Sequence, residues 1–245
     1  KKKIDVSYKS DGSPVTYADI KANAVIVESL IKFNPKIPIL SEESPIDSTI
    51  INSELFWAVD PLDGSKEFIS NSTDFTVNIG LVYKNYPIFG IIYAPMSDNL
   101  WFGFDDRKKN GCKKAKKLCK ASRQVFLKKQ NWKEIRVKRS DKTFIVTSSK
   151  RHKSNQKLNE WIELNKINRK VEVIERGSSL KICLVAEGSA HFYPRFGRTC
   201  VWDTAAGHAI VNAAGGSIIS FLTKQELKYE KSVYNSDFIV SNALF

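Results

Sequence analysis

Five acidic side chains stand where predicted strands and helices begin or end in this 245-residue chain. They are Glu42, Glu43, Asp60, Asp63 and Asp203. Hard divalent cations prefer several oxygen ligands, and Mg²⁺ in particular is held by a few carboxylates together with phosphate and water. The acidic set therefore makes a divalent-cation site a hypothesis to be tested against the fold.

The segment that starts at Asp60 combines groups that suit a metal with groups that suit a phosphate. Asp60 and Asp63 are three residues apart, so on a tight turn stiffened by proline their carboxylates can converge with the Leu62 carbonyl. A helix predicted at Ser65–Phe68 begins directly afterwards, and the free amides at a helix start bind anions. This combination predicts metal-assisted hydrolysis of a phosphate ester.

Each signal also has a plainer explanation when it is taken alone. An Asp-Pro-x-Asp-Gly string is often a surface turn, and a Ser-Glu-Glu-Ser string is often an exposed loop. Asp203 in a first helical turn fits the helix dipole, while Asp19 fits a capping box with Thr16 as the N-cap. Only the joint occurrence of these signals supports a site.

The elements around these residues follow from hydrophobic periodicity. Apolar residues at i, i+4, i+7 and i+11, namely Ile20, Ala24, Val27 and Ile31, predict a helix over Val15–Phe33 with one apolar face. Further helices are predicted at 155–164, 178–187 and 202–214. Strands are predicted at 55–59, 75–83, 87–94, 99–104, 144–148, 171–174, 217–222 and 238–240. Mixed helices, strands and hairpins predict two layered halves of the α+β or α/β class.

The positive charge is concentrated in one segment. The net charge is +13, and residues 107–142 hold 16 of the 39 basic residues but only two of the 26 acids. Such a segment can meet nucleic acid or an anionic membrane surface. Its aromatic residues are only Phe126 and Trp132, so the composition favours a mobile, solvated connection near 105–142, with a domain boundary inside it.

Other sequence features bear on the compartment. The four cysteines form no Cys-x-x-Cys pair, which favours a reducing, cytoplasmic setting. No apolar run approaches the length of about 18 residues that a spanning helix needs. Residues 1–9 lack the apolar core of a signal peptide. Because the chain begins with Lys1, we expect some N-terminal residues to be missing or processed.

Seven strings, in chain order, resemble the lithium-sensitive, Mg²⁺-dependent phosphatase superfamily that includes the inositol monophosphatases. They are Asp11–Asp19, Leu40–Glu43, Trp57–Ile69, Phe75–Ile79, Gly177–Lys181, Tyr193–Arg195 and Trp202–Gly207. The pair Asp-Pro-Leu-Asp-Gly and the distant Trp-Asp-x-Ala-Ala-Gly is highly specific. Within the superfamily the sequence is most similar to the 3′(2′),5′-bisphosphate nucleotidase branch.

The resemblance implies a fold and a division of the chain. The expected architecture is a layered αβαβα sandwich with an N-terminal antiparallel-sheet half and a C-terminal α/β half. Residues 1–142 would carry the main metal and phosphate site and end in the Lys-rich connection. Residues 143–245 would supply Asp203 and groups that bind the substrate.

The resemblance also implies a ligand set and a reaction. Glu42, Asp60 and the Leu62 carbonyl match metal ligands, and Asp63 and Asp203 match ligands of a second metal. Two or three Mg²⁺ ions and inhibition by Li⁺ are therefore expected. Asp19 matches the acid that, with a threonine hydroxyl, orients and helps deprotonate the attacking water. Ser65 stands where the family has this threonine, and it keeps the hydroxyl. Glu42 is counted with Asp19 and Ser65 in the catalytic set.

The implied substrate is adenosine 3′,5′-bisphosphate or its sulfated form, hydrolysed to release the 3′-phosphate; the unsulfated substrate gives AMP. Lys66, Lys181 and Arg195 could contact its second phosphate, since cationic groups suit a phosphate better than a sugar hydroxyl. Ordinary surface charge is the alternative for Lys181 and Arg195. The full set expected to bind substrate is Glu42, Leu62, Asp63, Gly64, Ser65, Lys66, Ser178, Ser179, Lys181, Arg195 and Asp203.

Departures from the family pattern leave alternatives open. Family members usually carry an additional N-terminal helix before the region that begins here, so we expect an uncovered apolar face or an incomplete sequence. His191, Arg198 and Val201 replace other residues of the branch, and we interpret His191 as structural. One alternative is a phosphatase of the same fold for inositol or another sugar phosphate. The other is a degenerate member that binds RNA or membrane through residues 107–142. We expect a cytoplasmic monomer or homodimer without specific nucleic-acid binding, and a weak membrane or polyanion contact through the basic segment is a further option.

Overall fold

The computed structural model describes residues 6–9, 12–106, 112–119, 132–138, 142–149 and 156–242. The strands are β1 (Val6–Tyr8), β2 (Pro14–Thr16), β3 (Ile39–Ser41), β4 (Leu55–Asp63), β5 (Thr76–Tyr83), β6 (Tyr86–Ala94), β7 (Asn99–Asp106), β8 (Cys112–Cys119), β9 (Lys133–Glu134), β10 (Thr143–Ser148), β11 (Lys170–Glu175), β12 (Phe192–Arg195), β13 (Ser217–Ser220) and β14 (Phe238–Ser241). The α-helices are α1 (Tyr17–Phe33), α2 (Ser65–Ile69), α3 (Gln156–Asn165), α4 (Leu180–Ala186) and α5 (Val201–Ala213), and a 3₁₀-helix covers Ser48–Asn52.

A seven-stranded sheet forms the first half, in the order β3-β4-β5-β6-β7-β8-β9. Only β3 and β4 run parallel, and every other neighbouring pair is antiparallel. The two-residue turn Lys84–Asn85 joins β5 to β6 with positive φ at both positions, which matches the right-handed twist of a hairpin. The sequence predicts a hairpin connection at Lys84–Tyr86 between these strands; the hairpin is confirmed, with Tyr86 as the first residue of β6.

Helix α5 packs across the seven-stranded sheet at a row of three glycines. Gly80, Gly90 and Gly103 occupy β5, β6 and β7, and a Cβ at any of them would overlap the backbone of α5. A Cβ on Gly80 would lie 2.8 Å from the amide nitrogen of Ala206. This close approach holds the first turn of α5, which carries Asp203, against the end of the sheet where β4 ends.

A five-stranded sheet, in the order β11-β10-β12-β14-β13, forms the second half. Helices α4 and α5 lie between the two sheets, and one continuous buried core runs from Phe56 through Ile210 to Val240. Helix α3 covers the far face of the second sheet with Leu158, Trp161 and Ile162. Helix α1 lies against β4. The predicted αβαβα layering is confirmed, whereas the division at 142/143 stays a prediction.

The apolar face predicted for α1 is wrong by about one residue. Ile20 is 55% exposed and Ile31 is 50% exposed, while Asp19 is the buried residue of the helix. The partly buried positions Asn23, Ile26 and Leu30 continue from Asp19 with the same spacing. One residue rotates a helix by about 100°, and the buried contacts of Asp19 fix this rotation.

The prediction of a mobile, solvated connection is wrong for the described parts of the basic segment. Residues 112–119 and 133–134 form β8 and β9, and Ala115, Leu118 and Ile135 are buried. The Lys117 ammonium pairs with Glu187 at 2.7 Å. Lysine content indicates solvated side chains, but it does not prevent backbone pairing at a sheet edge. Residues 107–111, 120–131 and 139–141 lie outside the described part.

None of the described helices is both long enough and apolar enough to cross a membrane.

Candidate active site

Three carboxylates from three elements meet where β3 and β4 end. One oxygen each from Glu42, Asp60 and Asp203 lies within 4.8 Å of the other two. Glu42 follows β3, and its amide donates to the Val59 carbonyl at 3.1 Å, so the parallel pairing of β3 and β4 places it beside Asp60. Asp203 is fixed by a capping box, in which the Cys200 amide donates to its carboxylate at 2.6 Å.

The segment Asp60–Asp63 is not the tight turn that the sequence predicts. Strand β4 continues through Asp63, and its register against β5 shifts between Asp60, opposite Asn78, and Asp63, opposite Thr76. The proline has no N–H for the ladder, and a bulge accommodates it. Gly64, with φ +97°, then turns the chain into α2. The bulge still brings both carboxylates to the same end of the sheet.

Asp63 is held by residues from both halves of the chain. Its Oδ2 accepts from the Ser179 hydroxyl at 2.7 Å, the Asn78 amide at 3.3 Å and the Thr76 hydroxyl at 3.5 Å. The Ser179 hydroxyl oxygen also lies 2.9 Å from the Asp203 carbonyl oxygen. The sequence reasoning missed Thr76 and Asn78, although two polar residues on the buried face of an alternating strand were a usable signal. The contacts of Ser179 favour a role in orienting Asp63 over direct contact with substrate.

Asp19 and Ser65 form the hydrogen-bonded pair that the sequence predicts. The Ser65 hydroxyl lies 3.0 Å from Asp19 Oδ1 and 3.3 Å from the Leu62 carbonyl oxygen. Asp19 Oδ2 accepts from the Thr16 amide at 2.8 Å and from the Thr16 hydroxyl at 2.5 Å. Asp19 is completely buried. The capping box therefore occupies one carboxylate oxygen and leaves the other directed at Ser65.

Burial and the neighbouring carboxylates raise the proton affinity of Asp60 and Asp203. Burial, followed by the charges of Glu42, Asp63 and Asp203, raises the pKa of Asp60 well above its usual value. Burial, followed by the charge of Asp63, raises the pKa of Asp203 to about 8. Like charges in a buried site hold protons unless a cation compensates them. The cluster therefore has the electrostatics of a cation-binding site.

We expect the metal-free protein to lose stability as the pH rises. The pKa of Asp203 is 3.8 in the reference state and about 8 in the fold, so between these values the folded state holds a proton that the unfolded state releases. The resulting loss of unfolding free energy between about pH 5 and 8 is on the order of a few kcal/mol. Urea unfolding in EDTA measures it, and Asp203→Asn should flatten the dependence. If the difference in unfolding free energy between the wild type and Asp203→Asn did not change with pH, this account would be wrong.

A cavity of about 410 Å³ extends from the acidic cluster toward a cationic wall. Its lining includes Lys181, whose ammonium donates to the Ser178 carbonyl at 2.6 Å and lies 5.3 Å from the centroid of the Tyr193 ring. Burial lowers the pKa of Lys181 to about 8. Ser178 Oγ and Arg195 Nε are buried beside it without a hydrogen-bond partner in the described structure. These groups suit an anionic ligand that would supply their missing contacts.

Five of the other predicted substrate contacts line the same cavity, whereas Leu62 and Ser65 line neither this cavity nor the adjacent one. The five are Gly64, Lys66, Asp63, Ser179 and Asp203. Glu42 lines the adjacent cavity of about 450 Å³, and Lys66 and Asp203 line both cavities. The structure thus brings the predicted site residues of the two halves to one cleft, while their individual roles stay predictions.

Comparison with known proteins decides the family. The model of the inositol monophosphatase family matches residues 1–244. The chain belongs to the inositol monophosphatase family. It is 43% identical over 230 residues to the 3′(2′),5′-bisphosphate nucleotidase CysQ of Buchnera aphidicola, covering 94% of this chain and 79% of that protein. It is 40% identical over 218 residues to CysQ of Salmonella typhimurium, covering 89% and 80%. The crystal structure of CysQ from Bacteroides thetaiotaomicron superposes with a TM-score of 0.78 at 36% identity, covering 95% of this chain and 86% of that one.

The inositol monophosphatase family is metal-dependent, and the residues of this chain fit that property. Glu42, Asp60 and Asp203 offer only oxygen ligands, as hard cations require, and their mutual distances suit a common cation. The raised pKa values of Asp60 and Asp203 point in the same direction, since burial and the neighbouring negative charges cause them and a bound cation would stabilise the ionised carboxylates.

Lys9 is an additional site residue of this family member that the sequence reasoning missed. Its ammonium pairs with Glu42 at 2.9 Å and with Glu43 at 2.7 Å. The partners are more than 30 residues away in sequence, so spacing gave no signal for this contact. His191, by contrast, has the structural role that we expected, because it is buried and its Nδ1 accepts from the Ile145 amide at 3.1 Å.

Proposed function

We propose that this protein is a Mg²⁺-dependent phosphatase that removes the 3′-phosphate of adenosine 3′,5′-bisphosphate to give AMP and phosphate. The observation that carries the proposal is one cavity with carboxylates at one end and buried cations at the other. The family membership and the 43% identity to a bisphosphate nucleotidase agree with it. The complete acidic cluster argues against a degenerate member that only binds RNA or membrane.

The proposed metal site uses the carboxylates of Glu42, Asp60, Asp63 and Asp203 with the Leu62 carbonyl. Bound Mg²⁺ supplies Lewis-acid activation of water and neutralisation of phosphate charge. Asp63, held by Ser179, links this site to the second half of the chain. We expect inhibition by Li⁺ as a consequence of the same ligand set.

Asp19 and Ser65 position the attacking water in the proposed mechanism. Because the Ser65 hydroxyl proton is donated to Asp19, the Ser65 oxygen is left to accept a hydrogen bond from water. This contact fixes the direction of the water's lone pair toward phosphorus. Asp19 Oδ1 can then receive the proton that leaves the water through Ser65.

The second phosphate of the substrate fits the cationic wall. Lys181 and Arg195 supply charge, and the unpartnered Ser178 Oγ and Arg195 Nε supply donors. Lys66 lies at the junction of the two cavities, where it can contact either phosphate. An inositol phosphate carries hydroxyls in place of this second anion, so it would leave the buried cations unpaired.

Lys181→Met should weaken binding of the bisphosphate selectively. We expect KM for adenosine 3′,5′-bisphosphate to rise about 10- to 100-fold, because a buried charge-assisted contact is lost. KM for adenosine 3′-phosphate, which lacks the second phosphate, should change much less. Wild-type KM for the bisphosphate should also rise above about pH 8, where the Lys181 ammonium loses its proton in the free enzyme.

Lys117→Met is the matched control, because Lys117 also lies beside an aromatic ring, 4.9 Å from the Trp101 centroid, but does not line the cavity. Its KM values should equal those of the wild type. Equal increases in KM for both nucleotides in Lys181→Met would contradict the second-phosphate assignment. Chromatography of the products tests the site of cleavage: AMP is expected, and adenosine 3′-phosphate would contradict the proposal.

The compartment and the assembly remain predictions of the proposed function. A nucleotide phosphatase of this kind would act in the cytoplasm as a monomer or homodimer, and size-exclusion chromatography with light scattering reports the assembly directly.

A further inference from the structure

Arg198 lies at the mouth of the cleft, on the same wall as the buried cations. It follows Arg195 in the connection between β12 and α5 and lines both cavities. Lys181 is only 5% exposed and Arg195 is partly buried, whereas Arg198 is exposed. The exposure of these three cations along the cleft therefore increases from Lys181 through Arg195 to Arg198.

The guanidinium of Arg198 is oriented by an aromatic ring. It lies 4.0 Å from the centroid of the half-exposed Tyr234 ring, close enough for a cation–π contact. No carboxylate among the described residues pairs with it, so its N–H groups are not committed to an acid. An Arg held by a ring and not by an acid can still bind an anion with its edge.

The backbone around this pair is fixed on both sides. The Arg195 guanidinium donates to the Arg198 carbonyl at 3.2 Å. The Asn235 amide donates to the Thr199 carbonyl at 2.9 Å, and Cys200 forms a β-bridge with Tyr234. The contact between Arg198 and Tyr234 thus joins two segments that are already pinned together, which favours a defined position of the guanidinium at the mouth of the cleft.

We propose that Arg198, positioned by Tyr234, determines specificity by binding a sulfate that extends from the 5′-phosphate of the substrate. This inference rests on the proposed function. If Lys181 and Arg195 hold the 5′-phosphate inside the cavity, a group attached to that phosphate extends toward the mouth, where Arg198 stands. Arg198 would then raise kcat/KM for adenosine 3′-phosphate 5′-phosphosulfate, the sulfated substrate that the resemblance implies, relative to that for the bisphosphate.

The test compares Arg198→Met with the wild type on both nucleotides at fixed ionic strength. We expect kcat/KM for the phosphosulfate to fall about fivefold, as for one exposed ion pair, and kcat/KM for the bisphosphate to fall less than twofold. Tyr234→Leu should change the ratio of kcat/KM for the phosphosulfate to kcat/KM for the bisphosphate about half as much as Arg198→Met does, on a logarithmic scale. In a protein that already carries Arg198→Met, Tyr234→Leu should change this ratio little. Arg198→Lys keeps the charge and should restore part of the preference.

Lys224→Met is the matched control, because the Lys224 ammonium also lies 4.0 Å from a ring centroid, that of Phe221, but lines neither cavity. Its ratio of the two kcat/KM values should equal that of the wild type. Equal losses with both nucleotides in Arg198→Met, abolished by added salt, would show general electrostatic attraction and overturn this inference. Failure of the proposed function would show differently, as a folded wild-type protein that releases no phosphate from either nucleotide.

Discussion

Replacing Asp60 with Asn is expected to lower kcat by at least about a thousandfold while the protein stays folded. Asp60 is the buried member of the acidic cluster, and Glu42, Asp63 and Asp203 all act on its pKa. An amide at this position keeps the size of the side chain but removes the charge that would hold a cation between the other carboxylates. Phosphate release with Mg²⁺ measures the loss.

The same substitution should stabilise the protein when no metal is present. Burial and the neighbouring carboxylates raise the pKa of Asp60 well above its usual value, so the ionised carboxylate is unfavourable in the fold. A neutral asparagine avoids this penalty and raises the melting temperature in EDTA. Added Mg²⁺ should raise the melting temperature of the wild type more than that of Asp60→Asn. Asp105→Asn is the control, since Asp105 is a buried acid of β7 that does not line the cleft. Near-wild-type kcat in Asp60→Asn would contradict the proposed metal site.

Asp19→Asn is expected to lower kcat about 100- to 1,000-fold with little change in KM. The asparagine can still accept from the Thr16 amide, but its NH₂ group would face Ser65 and could not take a proton from it. Ser65→Ala should lower kcat less, and combining the two changes should cost little more than Asp19→Asn alone, because both act on one water.

Asp47→Asn separates this effect from loss of a helix cap. Asp47 accepts from the amide and hydroxyl of Thr49 at 2.9 and 2.6 Å, much as Asp19 accepts from Thr16, but it caps the 3₁₀-helix outside the cleft. Its variant should lose some stability and keep full activity. If Asp19→Asn lowered only the melting temperature and left kcat intact, the proposed role in orienting water would be wrong.

The order of elements was predictable where local patterns and tertiary packing agree. Strands β5–β7 alternate in burial or follow clear turn residues. Gly215, which follows α5, has the positive φ that is typical of the residue after a helix end. Helix α1 was placed correctly in sequence, but its rotation depends on contacts of Asp19 that hydropathy does not report. Strand β8 was missed because its lysines are typical of a solvated segment, whereas the strand forms through backbone pairing with β7.

The sequence predicts the site residues that belong to recognisable sequence motifs. Glu42, Asp60 and Asp203 lie close together in the structure, and the Ser179 hydroxyl lies between Asp63 and the Asp203 carbonyl. Asp19 and Ser65 are joined by a hydrogen bond. Residue spacing does not predict contacts between motifs that are far apart in sequence. The contact of Arg198 with Tyr234 is an example, because 36 residues separate them. The sequence also could not show that the Ser179 hydroxyl is hydrogen-bonded to Asp63.

The most direct test of the account is phosphate release from adenosine 3′,5′-bisphosphate and from inositol 1-phosphate in parallel, with Mg²⁺ and with or without Li⁺. The account predicts Mg²⁺-dependent, Li⁺-sensitive release from the nucleotide, with kcat/KM for inositol 1-phosphate at least about 100-fold lower because the buried cations stay unpaired. Equal or faster release from inositol 1-phosphate by the same folded protein would contradict the assignment of the cationic wall to a second phosphate.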